Sequence, residues 1–85
     1  MIGQRIHFDT ADDDFIYRVL TTPGAYGTAN GRDWFCCTPN GLGGNLGAHS
    51  VVEHEDGTIT VSPSILVRGK SEWHGFLERG VWREC

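Results

Sequence analysis

The sequence predicts a mainly β protein: a small antiparallel sheet or partly open barrel of about five to six strands built from hairpins, with little or no helix. Three observations carry that expectation. Asp56-Gly57 separates two β-branched runs, and Gly80 separates two apolar ones, which is how hairpins look in sequence. Twelve glycines against three prolines in 85 residues supply tight turns rather than a helical bundle. The apolar fraction of 39% includes three Trp, four Phe and two Tyr, enough for a core without disulfides. Residues 1–85 therefore read as one small domain.

Taken in order, Ile2 to Phe8 alternates loosely and reads as a first strand. Thr10 with Asp13 resembles a helix cap, but Phe15-Ile16-Tyr17-Arg18-Val19-Leu20-Thr21 is aromatic and β-branched. A turn at Asp12–Asp14 followed by a strand is expected. Thr22 to Asp33 carries Pro23-Gly24, Gly27 and Asn30-Gly31 and reads as loop. Trp34-Phe35-Cys36-Cys37 reads as a buried strand, and Gly41 to Gly47, with four glycines, as an irregular loop. That loop lacks the lysine of a phosphate-binding loop.

The first hairpin runs from Ser50 to Ser62. A two-residue Asp56-Gly57 turn opposes Glu55 to Thr58, His54 to Ile59, Glu53 to Thr60 and Val52 to Val61. Val52, His54, Ile59 and Val61 would then face inward, with Glu53, Glu55, Thr58 and Thr60 in water. Pro63 bends or ends the strand, Ile65-Leu66-Val67 resumes it, and Gly69 turns the chain. In the second hairpin, a two-residue Arg79-Gly80 loop would put Arg79 at positive φ. A three-residue loop, Glu78-Arg79-Gly80, is preferred. It opposes Leu77 to Val81 and Phe76 to Trp82.

Composition narrows function. The net charge is −4, and the seven basic residues are scattered, so direct nucleic-acid binding is disfavoured. No apolar run approaches about 18 residues and no leader pattern is recognisable, so a soluble cytoplasmic protein without membrane association is expected. Three cysteines and four histidines could supply one zinc, but ligand pairs two to four residues apart are missing, and neither metal nor cofactor is assigned. A nucleophile pairing Cys36 or Cys37 with a histidine lacks any local sign of an activated thiolate. Glu53 and Glu55, about 7 Å apart on one strand face, resemble a solvated sheet surface.

The remaining features point to protein contact. Asp9, Asp12, Asp13 and Asp14 form an acidic cluster suited to a basic partner. One face of a small sheet cannot hide every aromatic side chain, so some become anchors for a partner. The binding set expected on these grounds is Asp12, Asp13, Asp14, Tyr17, Tyr26 and Trp73. Exposed sheet edges add the prospect of homo-oligomers.

The second half resembles a family of small proteins encoded by phages and prophages of bacteria. Ser62-Pro63-Ser64-Ile65-Leu66-Val67-Arg68 matches that family's Ser-Pro-Ser-Leu/Ile block, and His74-Gly75-Phe76-Leu77-Glu78-Arg79-Gly80-Val81 is similar to its final Gly-turned hairpin. The family's Cys-Pro-x-Cys knuckle is eroded in Cys37-Thr38-Pro39-Asn40-Gly41, where Asn40 replaces the second cysteine, and Trp73 replaces the cysteine before His74. Only Cys37 and His74 remain of four ligands, which implies a metal-binding ancestry that the chain has lost. The resemblance implies a phage-type protein and carries no activity to transfer. Small size, acidity, a sheet rich in aromatics and the absence of a catalytic constellation add the expectation that it docks on a host or phage protein in the bacterial cytoplasm. It is not an enzyme on this reading. The alternatives are a zinc-stabilised domain, an assembly or virion component, and a small Cys/His-dependent enzyme.

Overall fold

The computed structural model describes every residue, Met1–Cys85. The elements are β1 (Gln4–Arg5), α1 (Phe15–Thr21), β2 (Ala25–Thr28), β3 (Trp34–Cys37), β4 (Gly43–Asn45), β5 (Ser50–Glu53), β6 (Ile59–Arg68), β7 (Glu72–Glu78) and β8 (Val81–Glu84). They form two four-stranded sheets, in the orders β1-β2-β3-β4 and β5-β6-β7-β8. The mainly β expectation holds. The strands number eight rather than five or six, there is no closed barrel, and β1 runs parallel to β2.

The alternation of side chains along β2 and β3 sorts the layers. Tyr26, Trp34 and Cys36 join Leu46 and the inner face of the second sheet (Ile59, Val61, Ile65, Trp73, Leu77 and Trp82) in the main core. The opposite face of the first sheet packs Ala25 and Phe35 against Ile6, Phe15 and Val19. The result is three layers: helix, first sheet, second sheet.

Phe15–Thr21 is a helix, not the strand its composition favours. Phe15 and Val19, four residues apart, are the two buried members, while Tyr17 between them is exposed. A helix separates them in this way, whereas a strand would put all three on one face. Tertiary burial outweighs a propensity difference of roughly 1 kcal/mol or less. The first strand shrinks to Gln4–Arg5, continued by a bond from Ile6 N–H to the Tyr26 carbonyl (2.9 Å) and by an isolated bridge from Ile2 to Val81. Part of the glycine-rich loop is β4, whose Gly43 backs onto the Leu20 carbonyl so closely that a Cβ would sit 2.9 Å from it. Part of the expected 22–33 loop is β2.

Each hairpin uses the loop length expected of the other. In the first, Glu53 opposes Ile59 and Val52 opposes Thr60, one residue away from the two-residue register. The loop is Glu55-Asp56-Gly57, closed by His54 N–H to the Thr58 carbonyl (2.8 Å), with Gly57 at φ 84°. Asp56 Oδ1 accepts from both Thr58 N–H (3.0 Å) and Thr58 Oγ1 (2.6 Å), which fixes the turn. A one-residue slip exchanges the faces, so Val51 rather than Val52 points inward with Ile59 and Val61.

In the second hairpin Leu77 opposes Trp82 and Glu78 opposes Val81, across a two-residue Arg79-Gly80 turn with both residues at positive φ (46° and 76°). The left-handed Arg79 costs about 1–2 kcal/mol. The three-residue alternative would turn Trp82 away from the core, forfeiting about 2–3 kcal/mol of aromatic burial. Trp82 instead lies edge-on to Trp73, with centroids 5.3 Å apart. His74 and Phe76 share the outer face with Arg83, whose guanidinium lies 5.4 Å from the Phe76 ring.

Pro63 bends β6 without ending it. The register shifts between Val61 and Ile65, and the Ser62–Pro63 peptide is cis.

Candidate docking surface at the start of the helix

The acidic segment before α1 is an ordered double turn. Asp9 Oδ1 accepts from Ala11 N–H (2.9 Å) and Asp12 Oδ1 from Asp14 N–H (3.0 Å). The Arg18 guanidinium pairs with the Asp12 carboxylate, and Arg18 N–H opens the helix by donating to the Asp14 carbonyl (2.8 Å). Asp14 is the N-cap by position, yet its carboxylate makes no capping bond. Asp13 and Asp14 thus present carboxylates to water in a segment held by its backbone.

The helix then sorts its apolar residues. Phe15 and Val19 go inward, so Tyr17, between them, points out and is 69% exposed. Ile16 and Phe8 are also exposed, with Phe8 edge-on to Phe15 at 5.3 Å. Helical periodicity assigns Ile16 to this surface, and the strand reading concealed that.

Tyr26 and Trp73 do not belong to this surface. Tyr26 lies in β2, 1% exposed, and burial raises its phenol above the usual range. Trp73 lies in β7 against Trp82. Both are core residues, so of the expected set only Asp12, Asp13, Asp14 and Tyr17 come together.

Other constellations are less concentrated. His54 Nε2 lies 2.7 Å from Thr60 Oγ1, which also accepts from Arg79 N–H (3.0 Å). His54 and Arg79 line two open clefts, one with Glu53, Glu55 and Asp56 and the other with Val52, Thr60 and Glu78. Two hydrogen bonds from Thr58 hold the Asp56 carboxyl below its usual value. His49 Nε2 and His74 Nε2 converge on Ser64, at its carbonyl oxygen and hydroxyl respectively (both 3.0 Å).

The cysteines lie elsewhere. Cys36 faces the second sheet and Cys37 alternates toward the helix layer; both are buried. Burial pushes the Cys36 thiol up to about 12, with Cys37 beside it adding to the rise. Burial also raises Cys37. Both sulfurs are therefore protonated thiols near neutrality, poor nucleophiles and poor ligands. Cys37 and His74, the two surviving knuckle positions, fall on different sheets and opposite outward faces. No three His, Cys, Asp or Glu side chains converge as a metal-binding group. No helix is long and apolar enough to cross a membrane.

Comparisons with family models, curated proteins and solved structures find no match to this chain.

Proposed function

We propose that this chain is a small, non-enzymatic protein-binding module of phage type, which docks on a protein of the bacterial host and modulates or inhibits it in the cytoplasm. The observation that carries the reading is the exposed Tyr17 one helical turn from Asp13 and Asp14, whose carboxylates have no partner within the chain. An aromatic anchor beside fixed negative charge suits a basic partner surface with an apolar pocket: the ring supplies affinity, and the charges supply steering and register.

The test is capture from a bacterial lysate with the wild-type chain, a Tyr17→Ala variant and an Asp13→Asn/Asp14→Asn variant in parallel. A true partner is retained by the wild type, weakened by both variants and released by rising salt. If the variants retain the same proteins as the wild type, the docking surface is elsewhere and the reading fails. An assembly role is the second reading. It is favoured by the unprotected edge of β5, a strand of four residues without proline or lysine.

A further inference from the structure

We propose that β5 is a homotypic pairing edge: two copies of this chain join their second sheets into one antiparallel sheet about a two-fold axis at Val52. The proposal stands apart from the helix-end docking surface.

The hydrogen-bond phase of β5 is set by its end. His54 N–H donates to the Thr58 carbonyl. Donation alternates along an antiparallel pair, so Val52 and Ser50 also face β6, opposite Thr60 and Ser62. Val51 and Glu53 therefore aim their N–H and C=O groups at the open side. No turn or loop backbone group bonds to them.

The other edges are guarded. Along β8, Trp82 N–H donates to the Met1 carbonyl (2.8 Å) and Gly3 N–H to the Gly80 carbonyl (2.7 Å), with Ile2 bridged to Val81. β4 is three residues long and β1 two. β5 lacks three of the usual protections: it has no bulge in its pairing, no proline and no lysine. Its one charge, Glu53, pairs with Arg5 of the same chain at 3.0 Å.

The occupant follows from register. An axis at Val52 opposes Val51 of each copy to Glu53 of the other and uses every outward amide of both strands. Val52, 55% exposed on the outer face, then meets its own mate as a non-hydrogen-bonded pair, the closer of the two pair types. An axis at Glu53 would instead set two carboxylates directly opposite, which is unfavourable. The strand is short, so the association is weak and concentration-dependent.

Sedimentation equilibrium over a concentration series tests this. The wild type is expected to show a monomer–dimer equilibrium. Val52→Lys, which opposes two ammonium groups across the axis, is expected to raise the dissociation constant by about tenfold or more. Circular dichroism checks that this variant keeps its fold. Register is read by cross-linking: in a Cys85→Ser background, Val52→Cys should oxidise to a covalent dimer, whereas Leu66→Cys, exposed on β6, should not. A wild type that stays monomeric at about 1 mM overturns the proposal. So does a Val52→Lys variant that dimerises undiminished, or equal cross-linking at both cysteines.

Discussion

The indole N–H of Trp82 donates to the carbonyl oxygen of Gly24 at 2.9 Å, a buried bond between residues 58 positions apart. It ties the last strand to the turn between α1 and β2, and so ties the two sheets together. Trp82→Phe keeps an aromatic ring but leaves the Gly24 carbonyl with Gln4 N–H (3.0 Å) as its remaining donor. The expected loss is about 0.5–1.5 kcal/mol, read from urea unfolding midpoints. An unchanged midpoint would mean that the bond contributes nothing net.

Arg5 is the second tie. Its Nη1 donates to Glu53 Oε2 (3.0 Å) and to the Gly57 carbonyl (2.7 Å), and its guanidinium lies 4.9 Å from the Trp34 ring centre. Arg5→Met should cost about 1–3 kcal/mol, because three interactions go and a turn carbonyl loses its partner. Glu53→Gln should cost under about 1 kcal/mol, since that half-exposed ion pair is only one of the three. Equal losses in the two variants would place the energy in the ion pair alone.

Arg79 occupies a left-handed position ahead of Gly80. Asparagine tolerates that conformation better, and Asn-Gly is the favoured pair for this turn. Arg79→Asn is therefore expected to stabilise the protein by roughly 0.5–1 kcal/mol, seen as a higher melting temperature. Its backbone N–H still reaches Thr60.

Cys36 makes stability depend on alkaline pH. Its thiol is raised in the fold from an ordinary 9.0 to about 12. The unfolded chain loses that proton at lower pH than the folded one. The contribution is thus fully present below pH 9 and is lost as pH climbs toward 12, at up to about 1.4 kcal/mol per pH unit. Burial shifts Cys37 and Tyr26 in the same direction. Unfolding free energies measured across this range should fall with pH, and Cys36→Ala should flatten the slope.

The two tyrosines should part company. Tyr17→Ala is expected to change stability by less than about 0.5 kcal/mol, as an exposed residue does. Tyr26→Ala opens the main core and should cost about 3–5 kcal/mol. Thermal unfolding of both variants distinguishes a surface side chain from a core residue.

That pair also shows what the sequence could reveal. The β class, the buried Trp34–Cys37 strand and the two hairpins were legible, because periodicity and turn chemistry act locally. The hairpin registers were not. Asp56-Gly57 fits a two-residue loop as well as the last two places of a three-residue one, and Asp56 bonding to Thr58 selects the second. Arg79 argued against a two-residue turn locally, but the burial of Trp82 opposite Leu77 decided otherwise. The helix was hidden for a similar reason: Phe15–Thr21 has strand composition, and only its packing on Ala25 and Ile6 rewards a helical period. The exposure of Asp13, Asp14 and Tyr17 was expected without the helix. That of Ile16 and Phe8 was not, because it depends on the helix.

Residues 1–3 are held along β8 by residues 80–82. During synthesis, residues 1–3 must wait for residues 80–82 to emerge before their backbone finds these partners. Until then the β8 side of the second sheet has no cover. A nascent or truncated chain lacking β8 would carry a second open edge and an unfilled place beside Trp73, making it a ready substrate for chaperones and proteases.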